Sequence, residues 1–207
     1  MRVKSEEKRQ AILDIAKDSF TQQGFEQTSM SYIAKQLGGS KATLYNYFNS
    51  KEEIFAAVME SSATEQIENA FVSLDHQDDM HVALPEFGYN FLQSVLKPDI
   101  MAIYRMAVNE AERSSIGRHF YENGPKKGWV HLSGYLQHQM ERGTLRQADP
   151  WYAAMQLKGL LTAEHFEPYA LRAIEMPTDK QIRETVDKAV EAFLCLYKNR
   201  SKRYFAN

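Results

Sequence analysis

Apolar residues recur at helical spacing along almost the whole chain. In the first segment, Ile12, Ile15, Ala16 and Phe20 lie at spacings of three and four, so they share one helical face. Nearly every segment has this period rather than the strict alternation of a half-buried strand. Prolines and glycines mostly fall between the segments. The pattern predicts an all-α fold of about nine or ten helices.

Capping residues and helix breakers place the boundaries. The first helix is expected from a cap at Ser5 to a stop at Gly24, and the second begins at the Thr28-Ser29 pair. Ser40 caps a third helix that runs through Phe48. Further helices are expected near 51–74, Met80–Leu96, Asp99–Arg113, Pro125–Arg142, Pro150–Ile174 and Thr178–Arg203.

The second and third helices have the residue types that a helix-turn-helix requires. Ala34 is small enough for two short helices to cross at close range, and Gly38-Gly39 reverses the chain between them. Apolar Leu44 and Phe48 are expected to hold the third helix against the first. Polar and aromatic side chains then remain at the start and outer face of the third helix: Ser40, Lys41, Thr43, Tyr45 and Asn46. A helix N-terminus in the major groove brings such groups to base edges and phosphates.

The run from Ser40 to Phe55 resembles the signature of TetR/AcrR transcription regulators, and the resemblance extends over about residues 8–60. It implies a DNA-binding regulator, most commonly a repressor. The resemblance implies phosphate contacts from Thr28, Ser29, Tyr47 and Lys51, and contacts to bases or adjoining phosphates from Ser40, Lys41, Thr43, Tyr45 and Asn46. Gly39 departs from the family, which often has valine there, so we expect a slightly looser turn.

The rest of the chain resembles the C-terminal domain of the AefR-like branch of that family, over about residues 85–175. The resemblance implies a DNA-binding domain at 1–50 and an effector-binding and dimerisation domain at 51–207. The helix at 51–74, about 24 residues and so ~36 Å long, is expected to connect the two as a lever. Effector binding would tilt it and move two DNA-binding domains off their half-site spacing.

The last two helices predict a homodimer because their apolar faces need more than one burial partner. Two helices from each subunit can form a four-helix bundle; the alternative is a monomer whose last helix covers its own core. The predicted interface consists of Leu157, Leu160, Leu161, Val186, Val190, Phe193, Leu194 and Tyr197. Two recognition helices reading half-sites ~34–36 Å apart would match a palindromic operator in double-stranded DNA.

Aromatic and apolar side chains in the middle helices are candidates for an effector pocket. They are Phe87, Phe91, Tyr104, Met106, Phe120, Trp129, Tyr135 and Phe166. Residues of this kind fill cores more often than they bind ligands, so core packing is the alternative for each. A pocket with such a lining suits a small apolar or aromatic effector with one or two polar anchors.

Charge is distributed unevenly, although the net charge is only −2. Residues 1–51 carry eight Lys or Arg against five Asp or Glu, net +3, and the remainder carries 17 against 22, net −5. A basic head on an acidic body fits a local phosphate-binding surface. With no apolar run of ~20 residues and no signal-like start, we expect a cytoplasmic protein without membrane contact. Cys195, among apolar neighbours, is expected to fill the core.

Three other interpretations compete with this one. An enzyme would need a nucleotide-binding glycine loop, a nucleophile motif or a zinc-protease motif, and none is recognisable, so we expect neither catalysis nor a cofactor. The acidic and histidine residues from Asp75 to His81 could bind a metal, but a solvated loop between helices is expected instead. A DNA-binding architectural protein without an effector is the third alternative, and its body would be fully packed.

Overall fold

The computed structural model describes residues 5–59, 70, 71, 74, 79–112 and 115–199. The all-α prediction is confirmed: in these residues the regular structure is helical, and the extended pairing is one isolated bridge between Leu145 and Lys198. The helices are α1 (Glu6–Gln23), α2 (Met30–Gln36), α3 (Lys41–Tyr45), α4 (described over 51–59), α5 (Met80–Val95), α6 (Pro98–Glu110), α7 (Ile116–Asn123), α8 (Pro125–Glu141), α9 (Pro150–Thr162), α10 (Phe166–Ala170) and α11 (Asp179–Tyr197). None of the described helices combines the length and the hydropathy that a membrane crossing requires.

Short polar side chains begin the helices, as predicted. Ser5, Ser29 and Ser40 cap α1, α2 and α3, and each side-chain oxygen accepts a hydrogen bond from the backbone N–H three residues later. Thr178 and Gln181 form a reciprocal capping box at the start of α11. Each cap satisfies an N–H that has no partner inside its helix.

Two helix predictions in the second half of the chain were incomplete. The single helix expected over Pro150–Ile174 ends at Thr162, a turn occupies residues 163–165, and α10 follows. Pro168 explains the break, since proline has no N–H and its ring collides with the carbonyl four residues earlier. The short helix α7 was not predicted, although Gly124 marks its end. Residues 60–69, 72 and 73 of the predicted helix 51–74 lie outside the described residues.

The chain divides into two compact units. The head unit comprises residues 1–64 and 98–124, and the body unit comprises residues 65–97 and 125–207. The head unit therefore includes α6 and α7 in addition to the first helices. The assignment of DNA binding to 1–50 and of effector binding to 51–207 stays a prediction, because compactness does not reveal what a segment binds.

An aromatic trio lies at the centre of the head unit. The rings of Phe20, Phe25 and Phe55 have centroid separations of 5.2 to 5.4 Å, with two of the three contacts close to edge-to-face. Apolar side chains from six helices surround the trio and form one buried cluster: Ile12, Ile33, Leu44, Phe48, Ile54, Ile103, Ala107 and Ile116. Helices α2 and α3 are thus anchored on a core to which α6 and α7 contribute.

Close packing of α5 against α9 and α11 shapes the body unit. Gly88 lies where the three helices meet, and an added Cβ would stand 2.9 Å from both Leu161 Cδ2 and Val186 Cγ1. Helices α9 and α11 run antiparallel: Thr185, in the first half of α11, donates a hydrogen bond to Glu164 just past the end of α9, whereas Tyr197 at the end of α11 donates to Gln156 in the middle of α9. Phe193 and Leu157, both fully buried, fill the space between these helices and the rest of the unit.

One ion pair joins α1 to α6 inside the head unit. Lys17 Nζ donates a hydrogen bond to Asp99 Oδ2 at 2.8 Å, and both side chains are partly exposed. Partial burial by itself would raise the pKa of Asp99, but the hydrogen bond and charge of Lys17 and a backbone N–H from Ile100 outweigh it, so the pKa is lowered. The ionised carboxylate is therefore the form that the fold favours.

We expect Asp99→Asn to lower the free energy of unfolding at neutral pH by at most about 1 kcal/mol, since the pair is partly solvated. A carboxyl group whose pKa is lowered by folding contributes stability above its unfolded pKa, and the contribution disappears as the pH falls through its folded pKa. Urea unfolding at several pH values should show the difference from the native chain shrinking as the pH falls below about 4 and vanishing below the folded pKa. Asp14→Asn, at an exposed position of α1, is the control, and an equal loss from it would contradict the role of the pair.

Candidate DNA-binding surface and effector site

Helix α3 presents its polar leading end to solvent. Leu44 is fully buried and Phe48 is 3% exposed, so the apolar face of the segment is fixed on the head core. The opposite face is accessible: Ser40, Lys41, Tyr45 and Asn46 are exposed, and Thr43 is half-buried. The five side chains that were predicted to reach bases or adjoining phosphates therefore lie on α3 and its two cap residues, and the N-terminal end of this helix is accessible to solvent.

The turn between α2 and α3 depends on one of its two glycines. Gly38 has a φ of +69°, in the left-handed region that favours glycine. Gly39 is different, because an added Cβ would meet Leu37 and Thr43 side-chain atoms at 3.8 Å, an ordinary van der Waals distance. The turn thus accommodates the larger residue that the resemblance led us to expect at this position.

Thr28 does not fit its predicted role as a phosphate ligand. Its side chain is only 1% exposed, and its hydroxyl donates a hydrogen bond to the Gly24 carbonyl at 2.8 Å. The hydroxyl instead satisfies a carbonyl at the end of α1, where the helix leaves its last acceptors without partners. Ser29, the neighbouring residue, is exposed and caps α2.

Lys51 and Tyr47 are partly committed to the head unit itself. Lys51 Nζ donates a hydrogen bond to the Phe25 carbonyl at 2.7 Å and lies 4.1 Å from the centroid of the Phe25 ring. An ammonium group has three donors, so further donors remain for a phosphate. The Tyr47 hydroxyl accepts a hydrogen bond from the Ser5 N–H at 3.2 Å, which leaves its own O–H able to donate.

Two exposed residues of α2 were missed in the sequence. Tyr32 is 36% exposed and Lys35 is exposed on the same short helix, on the side away from buried Ile33 and Ala34. Tyr32 and Lys35 are three residues apart and so share one helical face, and the apolar pair Ile33 and Ala34 lies on another. This pattern could have identified both exposed residues from the sequence. They extend the accessible cationic and aromatic surface from α3 onto α2.

Three of the predicted pocket residues meet in the body unit. The Trp129 ring lies 4.9 Å from the Phe91 ring and 6.0 Å from Phe71, centroid to centroid, and Phe87 stacks on Phe91 at 5.9 Å. We call Phe71, Phe87, Phe91 and Trp129 the aromatic cluster. Phe71 was not predicted, because its segment was interpreted only as a lever. Lys158 on α9 lies with its Nζ 5.6 Å from the Trp129 ring centroid.

Trp129 carries a polar group that the described residues leave unpaired. Its side chain is 3% exposed, and its Nε1–H has no hydrogen-bond acceptor among them. Buried donors are paired in the great majority of cases, because an unpaired one loses the hydrogen bond that water would provide. The aromatic cluster therefore consists of apolar rings with one buried donor that has no acceptor among the described residues.

The remaining pocket candidates are distributed differently. Met106 and Phe120 pack against the core of the head unit, and the Tyr104 ring lies 6.3 Å from the Phe120 ring. Tyr135 on α8 and Phe166 at the start of α10 are half-buried in the body unit. Of the eight predicted pocket residues, three therefore belong to the head unit and five to the body unit.

Most of the predicted dimer residues are buried within the chain itself. Six of the eight have no surface left for a partner: Leu157, Leu161, Val186, Val190, Phe193 and Tyr197. Burial raises the pKa of the Tyr197 phenol, which therefore stays protonated. Its O–H donates a hydrogen bond to Gln156 Oε1 at 2.6 Å. Only Leu160 and Leu194 are half-buried. Apolar periodicity identified the buried face correctly but not what covers it.

The exposed side of α9 and α11 carries a different set of residues. Tyr152 is 62% exposed and Leu196 is 54% exposed, and Gly159 has open space around its Cα. Cys195 is exposed as well, which corrects the expectation that its thiol fills the core. The helical period turns it to the side opposite Phe193 and Tyr197.

The structure gives no support to a metal site in the residues it describes, where no group of three or more candidate ligands lies close enough. Asp79 and His81 are exposed, and the Asp79 carboxylate caps α5 by accepting the His81 N–H. Residues 75–78 of the acidic and histidine run lie outside the described residues.

Two family models match the chain. Residues 12–58 match the bacterial regulatory proteins of the tetR family, and residues 82–199 match the C-terminal domain of AefR-like transcriptional repressors. The second match alone covers more than half of the chain.

Curated relatives are similar mainly over a short region. YfiR of Bacillus subtilis (strain 168), an uncharacterized HTH-type transcriptional regulator, is 39% identical over 72 residues, which are 34% of this chain and 35% of YfiR. RutR of Escherichia coli (strain K12), an HTH-type transcriptional regulator, is 46% identical over 52 residues, 25% of this chain and 24% of RutR. The chain thus spans about a third or less of the length of these relatives.

Solved structures are similar over nearly the full length. A TetR-family transcriptional regulator from Mesorhizobium loti MAFF303099 has a TM-score of 0.86 at 26% identity, over 95% of this chain and 100% of that one. The flavonoid-responsive regulator FrrA has a TM-score of 0.82 at 29% identity, with the same coverage. The fold is that of transcription regulators rather than of enzymes.

Thr28→Val tests the corrected role of this residue. We expect the free energy of unfolding to fall by about 1 kcal/mol, because the Gly24 carbonyl loses its donor, while the salt dependence of DNA binding stays unchanged. Thr28→Ser, which keeps the hydroxyl, is the matched control for chemical denaturation and for duplex titrations at several salt concentrations. A flatter salt dependence with unchanged stability would restore the phosphate role.

Proposed function

Because the chain belongs to the TetR family of bacterial transcription regulators, with a C-terminal domain of the AefR-like type, we propose that it is a repressor. In this proposal a cytoplasmic homodimer binds a palindromic operator, and a small apolar or aromatic effector releases it. DNA binding and transcription regulation are properties of the family. The sign of the regulation, the assembly and the effector are the parts that need experiment.

The accessible leading end of α3 carries the DNA-binding part of the proposal. Lys41, Tyr45 and Asn46 are exposed while Leu44 is buried, so the orientation of α3 is fixed by the core. Side chains at the N-terminal end of such a helix reach base edges in the major groove, and neighbouring cations contact phosphates. Ser29, Ser40, Thr43, Tyr47 and Lys51 are proposed as the adjoining contacts.

The aromatic cluster of the body unit is the proposed effector site. Its buried, unpaired Trp129 N–H distinguishes it from an ordinary core, and a fully packed architectural protein would not need such a donor. FrrA, similar over 95% of this chain, is named as a flavonoid-responsive regulator, which supports an aromatic effector here. Phe71 lies in the segment proposed as the connecting lever, so a ligand in the cluster would contact that segment directly.

We propose a new interface for the homodimer on the accessible side of α9 and α11. On α9, Tyr152 and Gly159 are exposed seven residues apart, with Ala163 exposed just past its end, and on α11 Lys188 and Cys195 are exposed seven residues apart. Such spacings place each set on one face of its helix. Two copies of this antiparallel helix pair would form the four-helix bundle expected of a homodimer.

Lys41→Ala should weaken binding to every duplex and reduce the slope of log affinity against log salt by about one, since one phosphate contact is lost. Tyr45→Ala and Thr43→Ala should instead change which base is preferred. The operator is first selected from random duplexes with the native protein, and variants are then titrated on it and on point mutants of it.

Lys180→Ala is the matched control, because it removes the same charge at an exposed position of α11. Equal, sequence-independent losses from Lys41→Ala and Tyr45→Ala would contradict the proposed division of roles. A native protein that ignores duplex DNA at low ionic strength would overturn the DNA-binding proposal itself.

Gly159→Glu should convert the dimer into a folded monomer. The position has open space within the protomer, so the helix tolerates the side chain, whereas a carboxylate at the centre of a helix bundle would be desolvated. Gly134→Glu on α8, also exposed with open space, is the control and should stay dimeric. Sedimentation equilibrium distinguishes the two, and identical masses for both variants would exclude the proposed face.

A further inference from the structure

Resting on the effector site proposed above, we propose that the ligand is an aromatic anion. Its oxygen accepts the Trp129 indole N–H, and its charge faces the Lys158 ammonium. Carboxylates and phenolates on flat rings belong to this class. The inference follows from three properties of the aromatic cluster: the Trp129 N–H has no acceptor, the neighbouring side chains are aromatic rings, and the Lys158 ammonium lies beside them.

The unpaired indole defines the ligand's polar atom. The Trp129 ring is buried with its N–H lacking an acceptor among the described residues. An indole N–H can only donate, so its missing partner must carry an acceptor atom. A pure hydrocarbon would leave the donor unpaired and gain nothing from it, whereas an oxygen-bearing ligand would restore the hydrogen bond.

The neighbouring rings favour a flat aromatic ligand. Trp129 meets Phe91 and Phe71 at interplanar angles of 71° and 85°, which are edge-to-face contacts. A ligand that enters among these rings must break some of these contacts. An aromatic ligand replaces each broken contact with an equivalent one, because its faces and edges carry the same quadrupole as those of phenylalanine.

The charge of the ligand follows from Lys158. This side chain is half-buried, its ammonium lies over the Trp129 ring, and none of the described carboxylates pairs with it. A cation that is partly withdrawn from water attracts an anion more strongly than an exposed one. Of the acceptors that fit the indole, an anionic oxygen therefore gains more than a neutral carbonyl.

Three probes of nearly equal shape separate the contributions. They are 2-naphthoate, which has an acceptor and a charge; 2-acetylnaphthalene, which has an acceptor only; and 2-ethylnaphthalene, which has neither. Calorimetric titration of the native protein should give the affinity order naphthoate, ketone, hydrocarbon, with about tenfold between the ketone and the hydrocarbon and a further gain for the naphthoate. Equal affinities for the three, or no binding of any, would overturn the inference.

Two variants assign the contributions to residues. Trp129→Phe keeps a ring but removes the donor, so the naphthoate and the ketone should lose about tenfold while the hydrocarbon is unaffected. Lys158→Met keeps the length but removes the charge, so only the naphthoate should weaken. A loss common to all three probes in both variants would mean that these residues only shape the site, and would refute the proposed contacts.

A further measurement keeps both Trp129 and Lys158, so its result does not depend on whether the Trp129 and Lys158 variants fold. In Trp151→Phe, Trp129 is the only tryptophan of the chain, and its indole N–H gives one NMR resonance. Naphthoate and ketone should shift this resonance downfield of its position with the hydrocarbon bound, because all three rings change the local ring current but only the first two accept the hydrogen bond. An unmoved resonance under saturating naphthoate would overturn the inference even if the naphthoate binds.

Operator titrations on the same samples separate this inference from the proposed function. If naphthoate binds in the expected order but the operator is retained, the ligand class stands and effector release fails. If the protein binds its operator and none of the probes binds, the ligand class fails and the DNA-binding role stands.

Discussion

A helix of five residues has no orientation of its own, and α3 takes its orientation from one buried side chain. Leu44 inserts into the core formed around Phe20, Phe25 and Phe55, and Ser40 satisfies the first turn from outside. Once these two positions are fixed, the helical period turns Lys41 and Tyr45 to solvent. Isolated helices of this length do not persist in water, so the DNA-binding surface exists only as long as the head core is intact.

The body unit is organised by a different constraint. Its helices pack closely where Gly88 allows α5 to approach α9 and α11, yet Trp129, whose ring contacts Phe91 of α5, is buried with an unpaired donor. A core built only for stability would place an acceptor there or an apolar residue. The contrast between a tightly packed crossing and a buried donor without an acceptor supports the effector site proposed at the aromatic cluster.

Local features of the fold were predictable from the sequence, and non-local ones were not. Caps at Ser5, Ser29 and Ser40 and the reversal at Gly38 are encoded within a few residues, and the structure has them where they were expected. The side chain of Thr28, by contrast, is buried and donates to the Gly24 carbonyl, and the burial of one hydroxyl in a polar stretch cannot be predicted from the spacing of apolar residues. Pro168 is a local signal that was overlooked.

The interface and pocket predictions depend on the same non-local information. Apolar spacing on α9 and α11 reports that a face is covered, but the covering element can be the same chain or a second one. Leu157 and Phe193 proved to be covered by their own chain. The pocket list likewise combined residues of two compact units, since α6 and α7 join the head only through contacts between distant segments.

The membership of α6 and α7 in the head unit has an evolutionary consequence. Ile103, Ala107 and Ile116 cover the same core as Phe20 and Phe55, although they are encoded far downstream. A recombination event that joined only the first sixty or so residues to another regulator would expose that core. The first sixty or so residues therefore cannot be exchanged between regulators as an independent DNA-binding domain. In the proposed function, DNA specificity would change more readily by point substitutions on α3 than by exchange of this segment.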